Sequence, residues 1–317
     1  MKCKWIKKLT AGIIFLAAVG SLSGCQRAAT SENLFRDIEV NMTSVESAEE
    51  NQIVKLQLGD GDSAISQESN LDIEMTRDPA AVHRKGQQKT NMAGTKETQE
   101  MESYQVEEDG KTVIYSGTDE AWEKNAVEEK ETSSQQTVLF DGLQNLSGAF
   151  SVSQDLATVN KEECFELTGT ISGTQFQETF ADTLKALLGE DSSDLSGWNL
   201  QASEDEENNE ELQQKLNNIK VDCVIDIYRS NILPAKITFD LTDYLKAAGE
   251  ENAQVTSYTL EVTFVSYNDT KKIKVPKAVK ESAKDNGEDE AENSTDEMLE
   301  EENQEATAEA EAAKGIQ

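Results

Sequence analysis

Few side chains in this 317-residue chain are placed to do chemistry. Its one histidine, His83, lies between Val82 and Arg84 in polar surroundings. An imidazole that acts as a base or metal ligand needs partners that fix its tautomer. The spacing supplies none. Serines and acids are so frequent that no Ser-His-Asp order stands out. There is no glycine-rich phosphate loop and no Cys/His cluster with metal-ligand spacing. Asp60-Gly61-Asp62 offers carboxylates to a cation, but its spacing matches no calcium loop. Paired carboxylates of the kind glycosidases use are unavoidable among 62 acids, so they carry no information. The chain therefore reads as a non-enzyme with no cofactor and no metal. Four cysteines remain: Cys3, Cys25, Cys164 and Cys223.

The N-terminal stretch gives Cys25 its meaning. Lys2, Lys4, Lys7 and Lys8 make a positive start, and Leu9 to Leu22 is uncharged and mostly apolar. That run is shorter than the roughly 20 apolar residues a membrane span needs, so it reads as an export signal. Leu22-Ser23-Gly24-Cys25 resembles the lipobox of bacterial lipoproteins. The resemblance implies cleavage before Cys25, a diacylglycerol thioether on its sulfur, and attachment to the outer face of the cell membrane. The competing reading is an ordinary secretory signal with an incidental cysteine. On the first reading residues 1–24 are the signal and 25–31 a short lipidated tether.

Removing four lysines and no acid moves the net charge from −33 to −37. A chain this acidic is a poor partner for nucleic acid, whose affinity comes from neutralising phosphates. It is also repelled by anionic headgroups, so the acyl chains must do the anchoring. Outside the cytoplasm Cys164 and Cys223 could pair. Cys164 alternates with Glu166, Thr168 and Thr170 on a polar face, whereas Cys223 alternates with Val221, Ile225 and Ile227 on an apolar one. That parity favours two separate thiols over a cross-strand bridge.

Hydrophobic periodicity sets out the elements that must position anything functional. A helix is expected over 32–45, with Leu34, Ile38 and Val45 on one side and Ser31 as cap. A strand over 51–58 puts Val54, Leu56 and Leu58 on one face. Leu71, Ile73 and Met75 alternate in a second strand. Residues 78–100 are polar and ambiguous, with weak strands there an open alternative. Tyr104 to Ser116 is the clearest hairpin, turning at Asp109-Gly110. Trp122 marks another strand. Ser133 and Gln136 form a capping box for a helix carrying Leu139, Leu143, Leu146 and Phe150. A strand over 164–171 leads to a helix capped by Thr174, with Phe176, Phe180 and Leu184 in its stripe. A short helix through Leu212 and Leu216 is plausible. Strands over 221–229, 233–241 and 255–267 follow, with a short helix from Asp243 to Ala248. Ile273 and Val275 read as a final edge strand before Pro276. From 281 onward, 37 residues hold fourteen acids and two lysines, a composition for a disordered acidic tail.

These elements fit one α+β domain over 32–280, with a mostly antiparallel sheet and helices on one face. The ordered set resembles Gram-positive lipoproteins of the LolA/LppX-like superfamily. It comprises Ser44-Val45-Glu46-Ser47, the Asp-Gly hairpin followed by Trp122-Glu123-Lys124, and Glu166-Leu167-Thr168-Gly169-Thr170-Ile171-Ser172-Gly173. Its strongest members are Leu233-Pro234-Ala235-Lys236-Ile237-Thr238-Phe239-Asp240 and Ile273-Lys274-Val275-Pro276. The resemblance implies a curved antiparallel sheet, an open half-barrel, with helices covering its concave face. It also implies a hydrophobic ligand or lipid held in a cavity, and the apolar stripes here offer Val54, Leu56, Phe176, Phe180, Leu184, Ile225 and Phe264 as its candidate lining. The alternative is that those stripes fill the barrel and the protein is a surface-tethered interaction or structural module of the envelope. Its protein partner cannot be named from the sequence.

Overall fold

The computed structural model describes residues 29–61, 64–92, 94–118, 121–127, 142–188, 213–248 and 254–285. The Leu22–Cys25 stretch, the Ser133 capping box and the chain from 286 onward lie outside them. The first helix, α1, runs Ser31–Met42. Its cap is Thr30, one residue earlier than expected, whose Oγ1 accepts from the Asn33 N–H. Ser31 instead donates to the Ser147 carbonyl.

Six strands follow in sequence: β1 (Ser47–Leu58), β2 (Ile65–Arg77), β3 (Ala80–Met92), β4 (Thr95–Glu108), β5 (Lys111–Thr118) and β6 (Ala121–Val127). After them come α2 (Leu143–Leu146), a 3-10 turn over Ser147–Ala149, β7 (Phe150–Val159), β8 (Glu162–Ser172) and α3 (Gly173–Leu188). A short helix over 213–218 leads to β9 (Lys220–Tyr228), β10 (Pro234–Asp240), α4 (Thr242–Ala248) and β11 (Val255–Tyr267). The described chain closes with α5 (Lys277–Ser282) and β12 (Lys284–Asp285).

All twelve strands belong to one open, curved sheet, ordered β12-β6-β5-β4-β3-β2-β1-β11-β10-β9-β8-β7. Neighbours are antiparallel throughout, except that β12 runs parallel to β6. The sheet is two meanders, β1 to β6 and β7 to β11, joined where β1 pairs with β11. Asn268, at φ 62°, turns the chain there, and its Oδ1 accepts from the Glu46 N–H at 2.7 Å.

Helices cover the concave face of the second meander. Leu34, Phe35, Ile38 and Met42 of α1, Leu143 and Leu146 of α2, Phe176 and Phe180 of α3, and Leu216 are all buried there. They pack on the inward residues of β8 to β11, among them Leu167, Ile225, Phe239, Leu260 and Phe264. Burying a side chain of this size stabilises the fold by about 1.5–3 kcal/mol. Register places a smaller cluster on the opposite face. Tyr104, Val106, Val113, Tyr115 and Trp122 are covered there by Ile273, Val275 and Val279.

Other expectations change as well. Residues 80–108 form two long strands, not ambiguous ones, even though the seven from Thr95 to Met101 are all exposed. Phe150 is the first residue of β7, not the end of a helix. The cap of α3 is Ser172 rather than Thr174: Ser172 Oγ accepts from the Gln175 N–H at 3.2 Å, and Gln175 Oε1 accepts from the Ser172 N–H at 3.0 Å. Residues 273–275 are not a strand. They lie flat over the second cluster and spend their apolar side chains on packing.

Candidate functional site

The residues expected to line a cavity sit on elements that the helix-covered face brings together. Phe176 and Phe180 lie one turn apart on α3, with centroids 5.6 Å apart. Phe180 meets Phe239 at 4.9 Å and Phe176 meets Tyr244 at 4.9 Å, both edge-on. Such contacts match the ring quadrupoles and close the space between them. Ile225 on β9 and Phe264 on β11 are fully buried beneath the same helices. Leu184 is on α3, but its side chain falls outside the described residues.

Val54 and Leu56 differ from this set. They share the concave face, opposite Leu260 and Tyr258 of β11, yet both stay only half-buried, as does Leu58. Their neighbours across β2 are polar, Ser69 beside Val54 and Gln67 beside Leu56. At this end of β1 the apolar strip is one that the helices do not fully cover.

The same face of β1 carries two residues with no apolar reason to be inside. Glu50 and Gln52 are each 1% exposed. Glu50 lies between Phe264 of β11 and Ile73 of β2, and Gln52 between Val262 and Leu71. Neither carboxylate oxygen of Glu50 has a hydrogen-bond partner, and neither does Gln52 Nε2. Burial lifts the Glu50 carboxyl to about 7, against the opposing pull of the Arg84 charge two strands away. The strip of Val54, Leu56 and Leu58 predicts this placement if it is run backwards. The same parity puts Gln52 and Glu50 on that face, but an expected strand start at Asn51 hides Glu50.

His83 does have partners, on the other face. Its Nε2 is 2.9 Å from Glu102 Oε1, and its ring stacks on Tyr104 with centroids 4.3 Å apart. Burial raises the Glu102 carboxyl, but the hydrogen bonds from His83, Lys85 and Tyr104 outweigh it and hold the group below its usual range. Every partner is a neighbouring strand residue, which makes a cross-strand polar ladder. Asp226, on the same face of β9, is raised to about 6, chiefly by burial and also by Glu166.

Cys164 and Cys223 are free thiols. Both are buried, although Cys164 does lie on the face of Glu166, Thr168 and Thr170 as expected: there it packs with Val159, Tyr228 and Ala235. Cys164 pairs with Tyr228 and Cys223 with Gly169, so the two side chains point to opposite faces. Burial raises Cys164 to about 11 and Cys223 further. Among the described residues no three His, Cys, Asp or Glu side chains are grouped to hold a metal ion. No described helix is long and apolar enough to cross a membrane.

An open antiparallel half-barrel with helices on its concave face defines the architecture. Residues 30–284 match a family of unknown function, DUF6612, and the chain belongs to that family. Its fold is similar to the lipoprotein LppX of Mycobacterium tuberculosis at 10% identity, over 77% of this chain and 98% of that one, with a TM-score of 0.41. LprF from Mycobacterium bovis is similar at 11% identity, over 78% and 96%, also with a TM-score of 0.41. A LolA superfamily protein from Nitrosomonas europaea is similar at 8% identity, over 80% and 97%, with a TM-score of 0.22. No curated protein matches the sequence significantly.

Proposed function

We propose that this protein is a lipoprotein, anchored to the outer face of the cell membrane through Cys25, that holds a hydrophobic ligand on the concave face of its half-barrel. The observation that carries this reading is the incomplete cover over β1. Val54, Leu56 and Leu58 stay half-buried while Leu260, Tyr258 and Val255 beside them are closed off. Apolar surface left in contact with water forgoes about 25 cal/mol per Å². An acyl chain laid along the strip would recover that. Phe176, Phe180, Ile225 and Phe264 are closed off from solvent and back the site as packed core, with Leu184 further along the helix of the two phenylalanines.

Mass spectrometry of organic extracts tests the ligand, comparing the full lipoprotein from its own cells with a secreted form lacking Cys25. Stoichiometric lipid on the form without Cys25, reduced by Leu56→Asp, supports a carried ligand. A lipid-free form lacking Cys25 overturns it. The anchor is tested separately, by whether Cys25→Ala moves the protein from the membrane to the medium.

A further inference from the structure

The outer half of β4 has an open flank. Its pairing with β5 begins only at Glu102, opposite Gly117, so Thr95 to Met101 pair with β3 on one side and with no described strand on the other. All seven residues are exposed. An unpaired edge of this length is a template for another strand unless charge or shape forbids it. Here the charges favour one occupant.

We propose that a second copy of this chain pairs along the edge, antiparallel and two-fold symmetric about Thr98. In that register Thr98 faces Thr98 of the other copy, and Lys96 of each copy faces Glu100 of the other. Lys96, Thr98 and Glu100 alternate with Glu97 and Gln99, so they project from one face of the strand. The pairs are two opposite-charge contacts and one Thr–Thr contact, the combinations that stabilise antiparallel neighbours. Glu100 is already held in place, since its Oε1 accepts from Gln87 Nε2 at 2.7 Å. A two-fold operator makes each contact occur twice and closes the assembly at two copies.

The charge of the whole chain, −33, would drive copies apart, but this ribbon does not share it. Residues 80–101 contain Arg84, Lys85, Lys89 and Lys96 against Glu97 and Glu100, a net of +2. Two acidic bodies that meet here meet at a part that is not itself acidic.

Full-length protein carrying Thr98→Cys, treated in its own cells with a short bifunctional maleimide, tests the register. Cys164 and Cys223 are buried and stay out of the reaction. The expected product is a cross-linked species of twice the chain mass, absent without Thr98→Cys. Adding Lys96→Glu sets like charges opposite each other and should cut the yield about tenfold. Adding Glu100→Lys to that variant should restore it. Cross-linking to a chain of another size, no cross-linking, or a yield that ignores Lys96→Glu would each overturn the proposal.

Discussion

Replacing Glu50 with glutamine should make the protein more stable, and only at higher pH. Glu50 is 1% exposed and neither oxygen is hydrogen-bonded. Its carboxyl is raised from 4.5 to about 7 by burial. Below pH 4.5 the group is protonated in both the folded and unfolded chain and costs nothing. Between 4.5 and 7 the unfolded chain releases its proton while the folded one keeps it, so stability falls as pH rises. Above 7 the folded chain carries the ionised group at full cost. At about 1.4 kcal/mol for each pH unit between the two values, that cost is roughly 3 kcal/mol. Glutamine has the same shape and never ionises, so Glu50→Gln escapes it. Urea denaturation at intervals from pH 4.5 to 9 measures the difference between variant and wild type, in which the titrations common to both cancel. It should be near zero at pH 4.5 and roughly 3 kcal/mol in favour of the variant at pH 9. A difference that does not change with pH, or a variant less stable at pH 9, would refute the argument.

Phe180→Ala should cost about 3–5 kcal/mol in the same denaturation experiment, because it empties the contact between α3 and Phe239. Gly86→Ala should destabilise by about 1–3 kcal/mol, since a Cβ there would stand 2.0 Å from the Asn70 carbonyl oxygen and backbone must move. With Cys164 raised to about 11, roughly one thiol in a thousand is ionised at pH 8. Neither Cys164 nor Cys223 should react with iodoacetamide in the native protein, and both should react once urea unfolds it. Rapid labelling of the native protein would contradict the burial of both.

The sequence is most informative where local chemistry leaves one choice. Asp109 and Gly110 both take positive φ, 52° and 78°, as the two-residue hairpin demands. The apolar stripes of α1 and β11, and Phe176 and Phe180 of α3, point inward as their spacing predicts. Legibility fails where partners far along the chain decide the outcome. Strands β3 and β4 are polar on both faces at their outer ends, so alternation has nothing to mark. In β7 a register irregularity between Val152 and Leu156 shifts the phase, and Phe150 keeps helical spacing with Leu146. Cys164 looked polar from its own strand because its apolar company comes from β7, β9 and the start of β10. At the candidate site, Val54 and Leu56 were legible, but the buried Glu50 needed the strand's true start.

The meeting of the two meanders also sets an order on folding. Almost every strand pairs with one next to it in sequence, so most of the sheet closes short loops and should form fast. The β1–β11 seam is different, since Leu56 must wait for Tyr258, about 200 residues later. A chain made from its N-terminus can complete β1 to β6 while the inner flank of β1 is still bare. During that interval Val54, Leu56 and Leu58 present an open apolar edge. A chaperone, or a stray strand, would find the nascent protein there.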